Sequence, residues 1–164
     1  MTLDVLVGRR EVETVDDMEA LGRQIGSSLH AGELVVLTGP LGAGKTTLTR
    51  GIAEGLGVRG PVQSPTFVIA RTHPSLVGGA PLVHVDAYRL ASALELDDLD
   101  IDVDSSVVVV EWGRGMIDGI RDTWWEVKLE RPAGLGTAGI GTAGLDTAGL
   151  DADTPRVVTI SRRP

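Results

Sequence analysis

Leu34-Val35-Val36-Leu37-Thr38-Gly39-Pro40-Leu41-Gly42-Ala43-Gly44-Lys45-Thr46-Thr47 is the stretch that decides the fold. Its first five residues form an apolar run bounded by Gly32 and Gly39, which reads as a buried strand. Gly39–Thr46 then matches G-x-x-x-x-G-K-[ST] at every defined position. Thr46–Leu56 follows as a helix, with Gly57 placed to end it at the residue just past its C-terminus. A glycine-rich turn that matched by accident would lack this strand before it and this helix after it.

The motif has a physical reason. A nucleoside triphosphate needs several backbone N–H groups aimed inward, and glycines let the chain wrap that closely. The helix that starts near Thr46 adds its N-terminal dipole and unpaired N–H groups. Lys45 supplies a point charge to the β- and γ-phosphates, and the Thr46 hydroxyl is suited to Mg2+. Gly39, Gly42, Ala43, Gly44, Lys45, Thr46 and Thr47 are therefore the candidate residues for ATP.

Working outward, Thr14 followed by Asp17 reads as a helix N-cap with an acidic first turn. Met18, Leu21, Ile25 and Leu29 form one apolar stripe at helical spacing. Val68–Arg71 and Leu82–Asp86 are strand candidates, separated by the turn-rich Thr72–Pro81. Leu94–Asp104 reads as an acidic short helix and loop, Val107–Glu111 as a buried strand, and Trp124–Glu130 as an alternating one. Ala133–Ala152 repeats Ala-Gly-Leu/Ile-Gly/Asp-Thr, and Val157–Ile160 closes with a last strand. About four copies of a five-residue unit are too few for a stacked solenoid, so the repeat reads as a flexible Gly/Ala/Thr-rich loop. Strands that are apolar throughout, separated by helices and loops, predict a mainly parallel sheet covered on both faces. The expected architecture is a single α/β P-loop NTPase-like domain over residues 1–164. Its sheet is flanked by helices and carries an added antiparallel β edge, the last two strands making a hairpin interrupted by 133–152.

Composition sets outer bounds. At 164 residues and 17.2 kDa the chain is one domain long. No stretch approaches the roughly 18 apolar residues of a membrane span, and Met1–Arg10 does not read as a secretory signal. Cysteine is absent, which removes any disulfide partner and any thiolate metal site and points to the cytoplasm. The formal net charge of -8 argues against gripping nucleic acid by a general basic field, leaving a local patch or a role delegated to partners.

Phosphoryl transfer also needs an acid near the metal and a group that positions the attacking oxygen. Two predicted strands end in an acid, Asp86 and Glu111, and ligands of open α/β sheets bind beyond the carboxyl ends of the strands. Spacing does not decide which of the two touches the metal. Between the loop and Asp86 lies Ser64-Pro65-Thr66-Phe67, whose hydroxyls are candidates for sensing the γ-phosphate; a plain Ser-Pro-Thr turn is the competing reading.

Four blocks in order carry a resemblance: Gly39–Thr47, Ser64–Phe67, His84-x-Asp86-x-Tyr88-Arg89 and Glu111-Trp112. Together they resemble the bacterial TsaE family, the ATPase partner in making threonylcarbamoyladenosine on tRNA. The resemblance implies a P-loop fold and slow ATP hydrolysis alone. It also implies action with TsaD and TsaB, which transfer threonylcarbamoyl to adenosine 37 of tRNA, so that tRNA is met through the complex. It gives Lys45 and Thr46 the phosphates and Mg2+, makes Glu111 the second metal-associated residue, and makes Asp86 the water-orienting residue or base. Ser64 and Thr66 fall in a switch-like segment, Trp112 near the nucleotide, and Thr14, Val15 and Arg156 toward its base. The family usually has an acidic residue where Pro40 stands, and proline removes one N–H from the loop.

Two rival readings share the loop. A small-molecule kinase would need a lid of clamping arginines; Arg114 and Arg121 are available, but no compact arginine cluster is present. A nucleotide-dependent assembly module would use the acidic run Glu95–Asp104 for docking, against the plainer reading of a solvated face. A GTPase reading through Asn-Lys-x-Asp fails because the chain has no asparagine.

Overall fold

The computed structural model describes residues 2–40, 42–62, 70–87, 101–111, 122–131 and 155–163. A 3-10 turn at Leu3–Leu6 leads into β1 (Gly8–Val12), α1 (Val15–Ser28), β2 (Leu34–Thr38) and α2 (Lys45–Leu56). Then come β3 (Ala70–His73), β4 (Leu82–Asp86), β5 (Val107–Glu111), β6 (Trp124–Glu130) and β7 (Arg156–Arg163). The strands form one sheet in the order β1-β7-β6-β2-β5-β4-β3. Its four middle strands, β6, β2, β5 and β4, run parallel. Antiparallel pairing is confined to the edges, β3 on one side and β7 with β1 on the other.

The apolar runs of β2 and β5 follow from burial on both faces. Val35, Leu37, Val107 and Val109 turn toward the helices and share their core with Ile25, Leu48 and Ile52. The alternate residues Leu34, Val36, Val108 and Val110 form a second core on the opposite face, against which Ile101, Val103 and Trp124 pack. The α/β architecture expected from the sequence is thus the one observed.

The helix signals are borne out. Thr14 Oγ1 accepts the Asp17 N–H at 3.0 Å, and the stripe Met18, Leu21, Ile25 and Leu29 is buried. Gly57, at φ 75, ends α2 by donating its N–H to the carbonyls of Ala53 and Glu54. The two helices meet through glycines. Gly22 and Gly26 of α1 face Gly51 and Gly55 of α2, and a Cβ built on Gly22 would sit 2.5 Å from the Leu48 carbonyl oxygen.

Three strand readings need correction. β3 continues through Thr72 and His73, placed by sequence in a turn, because they pair with Val83 and Leu82; residues 68 and 69 lie outside the described residues. The last strand is Arg156–Arg163 rather than Val157–Ile160, since β7 is laddered on both sides, to β1 and to β6. β1 had no sequence reading at all. It is Gly-Arg-Arg-Glu-Val with Val12 its one buried residue, too polar to announce itself. Of the acidic segment 94–104, Ile101–Asp104 is described and carries no helix, and the repeat 133–152 lies outside the described residues.

Candidate functional site

The phosphate-loop motif sits where β2 ends and α2 begins. Gly42 and Gly44 have φ of 80 and 105, the left-handed region in which a side chain is strained. Gly44 is the N-cap of α2 and, having no side chain, supplies no side-chain cap to the amides of the first helical turn. The loop closes on itself through Ala43 N–H to Pro40 O at 3.1 Å. Lys45 folds back over it, donating Nζ–H to the carbonyls of Gly39 at 2.8 Å and Pro40 at 2.9 Å.

The sheet register brings the acids to the same place. Asp86 and Glu111 end adjacent parallel strands and lie side by side. Glu111 is also the register partner of Leu37, two residues before Gly39. Lys45 feels both carboxylates. Burial lowers its pKa from the ordinary lysine value, and the charges of Glu111 and then Asp86 oppose that fall. Lys45, Asp86 and Glu111 thus come together beyond the carboxyl ends of β2, β4 and β5, where open α/β sheets hold ligands.

Two neighbours of this group were missed by sequence reasoning. His84, quoted there in a motif but given no role, is fully buried, and its Nε2 lies 2.5 Å from Glu111 Oε2. Arg131, just past β6, donates to the Gly42 carbonyl at 3.2 Å, and Arg156, opening β7, donates to the same oxygen at 3.1 Å. A basic residue at each end of the repeat was the available signal. Arg156 pairs with Val12 across β1, and a Cβ on Gly44 would meet Met18 Cε at 3.1 Å. The segment holding Thr14 and Val15 therefore passes beside the loop, with the Thr14 hydroxyl engaged in capping α1. Thr46 and Thr47 are half-buried on the first turn of α2. Ser64, Thr66 and Trp112 lie outside the described residues.

The residues fit Mg2+ and a triphosphate. Among the described residues no group of three or more His, Asp or Glu could hold a metal ion by itself. Mg2+ does not require one, because it binds through one or two protein oxygens together with substrate phosphates. The Thr46 hydroxyl and the buried Glu111 carboxylate are hard oxygen donors of that kind, and the uncapped first turn of α2 supplies anion-seeking N–H groups.

Comparison with known proteins gives the family. Residues 12–135 match the family model described as threonylcarbamoyl adenosine biosynthesis protein TsaE. The tRNA threonylcarbamoyladenosine biosynthesis protein TsaE of Streptomyces coelicolor is 58% identical over 120 residues, covering 71% of this chain and 81% of that protein. The protein of the same name from Mycobacterium tuberculosis is 47% identical over 133 residues, covering 76% and 79%. The crystal structure of Bacillus subtilis YdiB superposes with a TM-score of 0.66 at 25% identity, over 93% of this chain and 82% of that one.

Proposed function

The chain belongs to the TsaE family, and from that premise we propose that it binds and hydrolyses ATP with Mg2+ in support of tRNA threonylcarbamoyladenosine biosynthesis. The reading is carried by one observation, the convergence of Lys45, Asp86 and Glu111 at the mouth of the phosphate loop. Gly39, Gly42, Gly44 and Thr47 cradle the phosphates through backbone N–H groups, Ala43 shapes the cradle through its N–H to the Pro40 carbonyl, and Lys45 exchanges its two carbonyl partners for phosphate oxygens. Thr46 and Glu111 hold Mg2+, which when bound neutralises charge on the β- and γ-phosphates. Asp86 orients the attacking water or takes its proton. By the same reading Ser64 and Thr66 are assigned to sensing the γ-phosphate, Trp112 to the neighbourhood of the nucleotide, and Thr14, Val15 and Arg156 to its base side.

In this reading ATP turnover serves the cytoplasmic transfer of threonylcarbamoyl to adenosine 37 by TsaD and TsaB, which bring the tRNA. Direct tRNA binding by this chain is not needed, in keeping with its net charge of -8. The test is ATP hydrolysis and tRNA modification with and without the TsaD–TsaB pair. The pair should stimulate turnover, and Lys45→Ala should abolish both activities. Modification at the wild-type rate with Lys45→Ala refutes the ATPase reading. Phosphorylation of a small acceptor with no stimulation by the pair replaces it with the kinase.

A further inference from the structure

Resting on that reading, we propose that His84 is a positioning residue for Glu111: its Nε2–H holds Glu111 Oε2, so that the other carboxylate oxygen faces the Mg2+–nucleotide site. Nothing in the phosphate-loop motif calls for this histidine. It lies in the middle of β4, fully buried, on the same sheet face as Leu82, in the core beneath the helices. An aliphatic residue would fill such a position without burying a polar group. The imidazole instead leaves Nδ1 buried with no hydrogen-bond partner among the described residues. Unsatisfied buried polar atoms are rare enough in native folds that each calls for a reason. Here the reason is the other nitrogen. Because Glu111 Oε2 accepts, Nε2 carries the hydrogen, and the 2.5 Å contact fixes the rotamer of a carboxylate that is itself buried.

The arrangement is the one by which an outer partner orients a metal-binding group. A glutamate has three side-chain torsions, and one oxygen tied to a rigid ring on the neighbouring strand removes most of that freedom. The same strand carries Asp86 two residues on, in register with Glu111. A single β4 segment therefore sets where both acids stand relative to Lys45.

Two amides of different reach test this. Glutamine places its side-chain N–H close to the position of histidine Nε2, whereas asparagine is one methylene too short. Both are polar and both fit within the histidine volume, so they load the core similarly. The full chain carrying His84→Gln or His84→Asn is titrated with a fluorescent ATP analogue in Mg2+ and again in EDTA, with affinities expressed per folded protein. Wild type should bind more tightly with Mg2+. His84→Gln should keep that gain to within about threefold, and His84→Asn should lose about 10- to 100-fold of it while its EDTA affinity stays that of wild type. Equal Mg2+ responses in the two variants, whether both full or both lost, overturn the assignment. Absence of any Mg2+ gain in wild type would instead sink the Mg2+–ATP reading on which it rests.

Discussion

Gly22→Ala should destabilise the protein even though alanine is the better helix former. In an exposed helix the exchange would gain about 1 kcal/mol. Here the added Cβ would lie 2.5 Å from Leu48 O, 2.7 Å from Gly51 Cα and 2.9 Å from Ile52 N, all backbone atoms of α2. Real Cβ contacts start near 3.0 Å, so relief needs a retreat of at least about 0.5 Å by a whole helix rather than a rotamer change. Overpacking of that kind costs about 1–3 kcal/mol, and backbone atoms on both sides put this site at the upper end. The net effect is a loss of about 2 kcal/mol, which for a chain of this length lowers the melting temperature by about 4–8 °C. Gln24→Ala, on the exposed face of the same helix, is the control and should leave it nearly unchanged. Thermal unfolding of the three proteins followed by circular dichroism decides the matter. A Gly22→Ala protein that melts at or above the wild-type temperature would show that the helices do not meet backbone to backbone at these glycines.

Arg131→Ala removes one of two guanidinium donors on the Gly42 carbonyl and leaves Arg156 in place. A partly exposed, charge-assisted bond of about 1 kcal/mol corresponds to about fivefold weaker ATP binding by calorimetry, with the double variant Arg131→Ala/Arg156→Ala weaker again. Burial lowers the pKa of His73 below the ordinary 6.5, while its Nδ1 lies 3.0 Å from the Arg59 carbonyl oxygen. The unfolded chain therefore takes up a proton that the folded one refuses, and this part of the stability is lost as pH falls below 6.5, down to the folded-state pKa. Urea unfolding at about pH 7.5 and about pH 5.5 should show a smaller difference for His73→Gln than for wild type.

What could be read from the sequence followed from how strongly each segment was constrained. β2, α2 and β5 are forced by continuous burial or by the loop motif, and β2 and β5 have the bounds their apolar runs announce. Asp86 and Glu111 were found because a strand that ends in an acid is visible residue by residue. Their side-by-side register was not, because it depends on β4 being inserted next to β5, a long-range choice that no local pattern encodes. β1 escaped for the opposite reason: an edge strand needs only one buried side chain, and Val12 alone gives no period. His84 was passed over because an alternating or apolar strand pattern treats a central histidine as filler. Its meaning comes from Glu111, 27 positions away in sequence.

Pro40, at the position where the resemblance implies an acidic residue, is compatible with the closed loop. A proline withholds an N–H, and the concern is a missing contact to phosphate. In the folded loop, residue 40 works through its carbonyl, which accepts both Ala43 N–H at 3.1 Å and Lys45 Nζ at 2.9 Å. That role is open to any residue, and the fixed φ of proline serves it by narrowing the unfolded loop, an effect of about 0.4–1 kcal/mol where the native conformation allows it. The amides that have no cap lie further on, in the first turn of α2 behind Gly44. An acidic residue at position 40 would add a further negative charge to the loop that holds Lys45, which already feels Glu111 and Asp86. Proline leaves the lysine charge answering to those two acids. The residues that shape the loop are thus separable from those that act on its ligand, and position 40 belongs to the first group.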